Sequence, residues 1–164
     1  MSKPVDIQVR IDPACPEPVV VIHTASKSQD VENIVHAIEN CMDSEYPLII
    51  GQRGASVELL SQRDVVRVYS EARHVRISTV NGLYDSNKSL SWLEMQLNPD
   101  RFIRISRYEI VNIRKIARFD FSMAGTIQIV LDDGCVTWAA RRYVRAIQQV
   151  LKNLEGKKED DRDV

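Results

Sequence analysis

Residues 75–83 read Val75-Arg76-Ile77-Ser78-Thr79-Val80-Asn81-Gly82-Leu83. Val75 and Ile77 alternate with polar neighbours, the period-2 mark of a half-buried strand. Asn81-Gly82 then supplies a type I′ turn, whose two central residues need positive φ, so the segment reads as a hairpin. The same grammar recurs downstream. Asp132-Asp133-Gly134 separates Leu131 from Cys135, and Ala124-Gly125 joins two more runs. Short apolar runs divided by turn residues cover Leu48–Ile50, Val57–Leu60, Val65–Tyr69, Val75–Val80, Phe102–Ile105, Ile110–Ile113, Ile116–Phe121, Ile127–Leu131 and Cys135–Trp138. That density predicts a mostly β module with short helices, an α+β chain.

Two helices are expected within this region. Ser89 is placed to cap a short one with Leu90, Leu93 and Leu97 on one face, stopped by Asn98-Pro99. The last, over residues 141–154, sets Tyr143, Val144, Ile147, Val150, Leu151 and Leu154 at helical spacing. Ahead of the module, Val5, Ile7, Val9 and Ile11 alternate with Asp6, Gln8 and Arg10 as in a strand, and Val19–Ile22 is a β-branched run. Asp30 is the expected cap of a helix carrying Val31, Ile34, Val35, Ile38, Cys41 and Met42. The expected layout is a small β-β-α extension over 1–56, a β module over 57–154 and a charged, disordered tail over 155–164.

Composition sets the class. The chain has 164 residues, 44% hydrophobic and 27% charged, as in a globular protein. Its longest wholly apolar stretch, Val19-Val20-Val21-Ile22, is far short of the ~20 residues of a membrane span, and the start lacks the apolar region of a signal peptide; a cytoplasmic protein is expected. Cys15, Cys41 and Cys135 are scattered, without metal-ligand spacing. His23, His36 and His74 have no ligand partners, and no Walker loop, nucleophile elbow or dinucleotide fingerprint occurs. No enzyme, cofactor, metal or small-molecule substrate is implied.

The net charge of −1 conceals opposed blocks. Residues 57–154 carry 15 Lys+Arg against 10 Asp+Glu, whereas 1–56 carry 4 against 8 and 155–164 carry 3 against 5. A basic module with acidic ends suits a polyanion partner better than the average suggests. Its cations cluster where elements begin or end: Arg73, His74 and Arg76; Arg104 and Arg107 around Ser106; Arg141 and Arg142. Arginine at such places reaches phosphates or forks onto guanine edges.

Two short resemblances differ in weight. Gly51-Gln52-Arg53-Gly54 resembles the GXXG element of KH modules, which would make the chain a single-stranded RNA binder. A KH loop joins two helices, however, and the flanking Leu48–Ile50 and Val57–Leu60 read as strands, so a plain hairpin is preferred. The longer match is Phe102-Ile103-Arg104-Ile105-Ser106-Arg107-Tyr108-Glu109-Ile110-Val111-Asn112-Ile113. It resembles the Phe-x-Arg-x-(His/Ser)-(Arg/Lys/Asn)-Ser-x-(Ile/Val)-Val-Asn signature of the LytTR-type DNA-binding domain of bacterial response regulators, the LytR/AlgR family. Asp64–Tyr69 resembles that domain's opening, Leu90–Leu97 its helix, and Arg141-Arg142-Tyr143 its close. Tyr108 and Ala140 stand where the family usually has Ser.

The resemblance implies an elongated stack of small antiparallel sheets and a sequence-specific, double-stranded DNA-binding transcription regulator. Its DNA contacts would fall on Arg73, His74, Arg76, Arg104, Ser106, Arg107, Tyr108, Arg141 and Arg142, with base reading at the loop near Arg73 to Arg76, at Ser106-Arg107 and at Arg142, and Asn112 holding a loop. It further implies promoter repeats bound by a homodimer, and a stand-alone type that lacks a phospho-receiver, carries a short extension and acts beside a membrane-protein partner. A protein-interaction role, with residues 1–56 pairing protomers, is the other reading.

Overall fold

The computed structural model describes residues 6–15, 18–43 and 46–159, and the chain divides into two compact units after Cys41. Among the described residues of the first unit only the helix forms. The two expected strands are absent among the described residues, and Ile7, Val9 and Ile11 are 80%, 84% and 88% exposed; Val5 lies outside them. A period-2 pattern supplies an apolar face but no backbone partner, and a strand without a neighbour is not stable. Asp12 instead closes a turn, its carboxylate accepting from the Ala14 N–H at 2.9 Å. Helix α1 (Gln29–Asp43) starts before the expected cap. Ser28 lies at its start, its carbonyl accepting from the Glu32 N–H at 3.1 Å, and Asp30 falls in the first turn. Val31, Ile34 and Ile38 are half-buried and Cys41 is exposed; the Met42 side chain lies outside the description.

The described residues of the second unit form ten strands: β1 (Ile49–Arg53), β2 (Ser56–Leu60), β3 (Val65–Glu71), β4 (His74–Thr79), β5 (Gly82–Ser86), β6 (Phe102–Ser106), β7 (Glu109–Asn112), β8 (Ile116–Asp120), β9 (Ile127–Leu131) and β10 (Val136–Ala139). Helix α2 (Leu90–Gln96) follows β5 and α3 (Val144–Glu159) closes the chain. The strands form an antiparallel seven-stranded sheet, β2-β1-β5-β4-β3-β7-β6, and a three-stranded sheet, β10-β9-β8. The expected boundary after residue 56 therefore cuts the β1–β2 hairpin, which pairs Arg53 with Ser56 and joins the large sheet through Gln52 and Asp85. Residues 155–159, expected to be disordered, continue α3, and 160–164 lie outside the description.

Two cores flank the large sheet. On one face Val68, Ile77, Tyr84 and Ile110 meet Leu90, Leu93 and Leu97 around α2. On the other, Val66, Ile105 and Val111 meet Ile127, Ile129 and Leu131 of the small sheet and Ile147 of α3. Strand register slips by one residue at Val66 in β3 and at Ile105 in β6. Each bulge sends its extra side chain into the second core. Burying a Leu or Ile contributes about 1.5–3 kcal/mol, which is why the module needs both layers.

Buried polar side chains tie the loops to these cores. Asn112, fully buried, donates to the Val65 carbonyl at 2.7 Å and accepts from the Arg114 N–H at 3.0 Å. Gln62 donates to the Pro47 and Gln96 carbonyls and accepts from the Asn98 N–H at 2.8 Å, fastening the end of α2. Ser89 caps α2 as expected, accepting from the Trp92 N–H at 3.1 Å.

The hairpins form where expected, with different turns. Between β4 and β5 the two loop residues are Val80 and Asn81, while Gly82 already pairs with Thr79. Gly82 has φ +135, and a Cβ there would lie 2.6 Å from the Arg53 guanidinium, which donates to the Asn81 carbonyl. Between β9 and β10 the Gly134 N–H donates to the Leu131 carbonyl and Gly134 has φ +82, a type I turn with a glycine bulge. The true two-residue type I′ turn joins β3 and β4 at Ala72 (φ +48) and Arg73 (φ +69), where no glycine or asparagine advertised it.

Candidate nucleic-acid interface

The candidate interface is built from the ends of β3, β4, β5 and β6. The Ala72-Arg73 turn puts Arg73 at an exposed hairpin tip with His74 beside it. Positive φ at residues with a Cβ costs about 1–2 kcal/mol per residue, and such strain concentrates at sites of function. Next to this tip, the Ser70 N–H donates to the Tyr108 carbonyl at 2.8 Å, so the β6–β7 turn lies alongside the β3–β4 turn. The two basic groups are over thirty residues apart in sequence and adjacent in space.

Arg104 organises the β6–β7 turn from below. Its Nε donates to the Ser106 carbonyl at 2.6 Å, one terminal nitrogen to the Arg107 carbonyl at 2.7 Å, and the other to Glu94 of α2 at 2.7 Å. Its guanidinium is thus committed within the protein, and Arg104 acts as a strut for the Ser106–Arg107 turn. Ser106 completes that turn, its Oγ accepting from the Tyr108 N–H at 3.1 Å. Arg107 and Tyr108 are exposed, Tyr108 to 63%.

Arg73, His74, Arg104, Arg107 and Tyr108 line one concave surface of about 620 Å³, together with Ser70, Ser86, Asn87, Lys88, Ser89 and Ser91. Sequence reading missed the segment 86–91, the loop 87–89 with the ends of β5 and α2 that flank it. Its signal was a single lysine beside a helix cap, read only for its capping role.

The other expected contacts lie elsewhere. Arg76 is half-buried and does not line the concavity; it lies 3.5 Å from Glu71 and 3.9 Å from Asp85, in ion pairs. Strand alternation explains this: Tyr69 and Arg76 pair on the face opposite Val68 and Ile77. Arg141 and Arg142 stand in a 3-10 turn over Arg141–Tyr143, outside the concave lining. The Ala140 N–H donates to the Ile105 carbonyl at 2.8 Å, bringing that turn next to the Ser106–Arg107 segment. Arg141 packs on the β8–β9 turn, its Nε 3.1 Å from where a Gly125 Cβ would sit, and Arg142 lies over the Tyr143 ring at 4.9 Å. Ala140 gives this turn no side-chain cap.

Beneath the interface a buried network locks the two sheets together. Glu109 accepts from Arg67 at 3.0 Å and from the Thr137 hydroxyl of β10. Burial works against the Arg67 charge, but the Glu109 carboxylate outweighs it and holds the guanidinium above its ordinary range. Arg67 also lies over the Tyr69 ring at 4.1 Å.

This strand-built module, with cations on its turns, matches a known family model. The profile of the LytTr DNA-binding domain covers residues 55–152, and the chain belongs to that family. It is 30% identical over 135 residues to an uncharacterised HTH-type transcriptional regulator of Staphylococcus aureus strain NCTC 8325, covering 82% of this chain and 90% of that one. A regulator of the same description from strain COL matches equally. The fold is also that of the LytTr DNA-binding domain of a Bacillus cereus protein, with a TM-score of 0.61 at 18% identity over 64% of this chain and 96% of that one. The chain is a DNA-binding transcriptional regulator. The KH-like GXXG is a hairpin turn between β1 and β2, not a link between helices.

Proposed function

We propose that the protein reads a specific double-stranded DNA sequence through the concave surface at the ends of β3, β4, β5 and β6, and acts in the cytoplasm. The observation that carries this is the convergence of Arg73 and His74 with Arg107 and Tyr108 on one surface. Arg107 and Arg73 are the base readers, since an arginine fork discriminates guanine edges. Arg141 and Arg142 flank them as contacts to the phosphate backbone. Arg107→Ala is expected to relax one base position at a cost of about 1–3 kcal/mol, whereas Arg142→Ala weakens all duplexes alike. Equal loss on every sequence for Arg107→Ala would refute the assignment.

We further propose a homodimer on repeated half-sites, paired through the apolar face of α1, with a membrane protein as its regulatory partner. Support for the dimer is the Val31, Ile34, Val35, Ile38 stripe, of which Val35 remains 38% exposed. Light scattering of the chain and of Val35→Asp tests it: a dimer that becomes a monomer is expected, and a monomer in both would exclude it.

A further inference from the structure

The concave surface carries one cation that the arginine clusters do not include. Lys88 is exposed in the loop between β5 and α2, a third chain segment that meets the concavity independently of the two arginine-bearing turns. It is held at both ends: its backbone N–H donates to the Ser86 Oγ at 3.2 Å, and its ammonium sits 5.1 Å from the centroid of the Trp92 ring. Among the described residues it forms no ion pair, unlike Arg76 and Arg104, each of which faces a carboxylate of the protein. Trp92 is 40% exposed and lines an adjoining cleft, which Lys88 borders as well as the concavity.

We infer that Lys88 holds a phosphate of the DNA backbone and that the Trp92 ring keeps its ammonium in place for that contact. The inference rests on the concave surface being the DNA face. Lysine is a compact point charge without the planar fork that reads a base, so a phosphodiester is the part of a duplex it fits. The neighbouring Ser86 and Ser89 hydroxyls and the exposed Asn87 amide add neutral donors, the usual company of a backbone phosphate. Trp92 is a positioning residue: a cation over an aromatic face loses mobility before the ligand arrives.

The test uses the full chain on a duplex it selects from a random pool and on a scrambled duplex, each over a salt series. Lys88→Ala is expected to bind both duplexes about fivefold more weakly, with the slope of log affinity against log salt shallower by about 0.9 and the preference between duplexes unchanged. Lys88→Arg keeps the slope, and Trp92→Leu weakens both duplexes by about twofold with the slope intact, because the charge remains. A duplex series with one neutral methylphosphonate per member is expected to contain one position that costs the wild type and not Lys88→Ala. An unchanged affinity and slope in Lys88→Ala would overturn the inference, as would a changed base preference. So would saturable binding of inorganic phosphate at Lys88 that leaves duplex affinity unaffected, which assigns the lysine to a free anion. A wild type without duplex preference but with the Lys88-dependent slope would instead refute sequence-specific reading and leave the phosphate contact standing.

Discussion

The Arg104 guanidinium bridges the Glu94 carboxylate of α2, at 2.7 Å, and the two carbonyls of the Ser106–Arg107 turn. The helix thereby sets the position of a turn it does not touch through its own backbone. Glu94→Ala removes the anchor and leaves every interface cation in place. Preference for the selected duplex is expected to fall by about threefold to tenfold, with about 1 kcal/mol of stability lost, as for a partly exposed ion pair. A salt slope that stays constant separates this positioning effect from a lost phosphate contact. An unaltered preference would remove Glu94 from the account.

Ala72 and Arg73 hold positive φ at the β3–β4 tip. Asn tolerates that conformation far better than Ala. Ala72→Asn is expected to stabilise the protein by about 0.5–1 kcal/mol in denaturant unfolding, at unchanged slope m, and to leave DNA affinity intact or improved. Destabilisation would show that the turn is not the strained type I′ described.

Asn112 serves two backbone partners from a fully buried position. Asn112→Ala strands the Val65 carbonyl, and an unpaired buried group costs about 1–3 kcal/mol. Asn112→Asp is expected to be at least as harmful, because it replaces the donor facing that carbonyl with an acceptor. Chemical denaturation of the two variants checks the order.

Glu109 joins Arg67 on β3 to Thr137 on β10. Removing Glu109 alone leaves a mostly buried guanidinium without its partner, expected to cost about 3–5 kcal/mol. The double variant Arg67→Met with Glu109→Leu is expected to recover much of that loss, since the charge goes with its partner. A double-mutant cycle that proves additive would mean the two residues do not act as a pair.

Much of this was legible in the sequence, for reasons that differ by element. Strands such as Ile127–Leu131 and the Ser89-capped helix follow from local period and capping, and both form where expected. The run ending at Ile11 shows the limit of period alone, because pairing is a tertiary event that a face pattern does not guarantee. Asn81-Gly82 marked the right hairpin and the wrong loop residues: Gly82 is needed for room beside Arg53, a contact between positions 28 and more apart in the chain. In the site, Arg73 and Arg107 were visible as charges near element ends. The commitment of Arg104 and Arg76 to internal partners was not, since Glu94 reaches Arg104 only through packing and Asp85 faces Arg76 only in the register that a Val80-Asn81 loop sets.

The central claim is that the concave surface reads sequence on top of a phosphate-driven affinity. It is tested most directly by the ratio of affinities for a selected and a scrambled duplex across a salt series. The expected result is a selected duplex bound at least about 10³-fold more tightly, with both affinities falling steeply as salt rises. A ratio near one at every salt concentration, or affinities indifferent to salt, would contradict it.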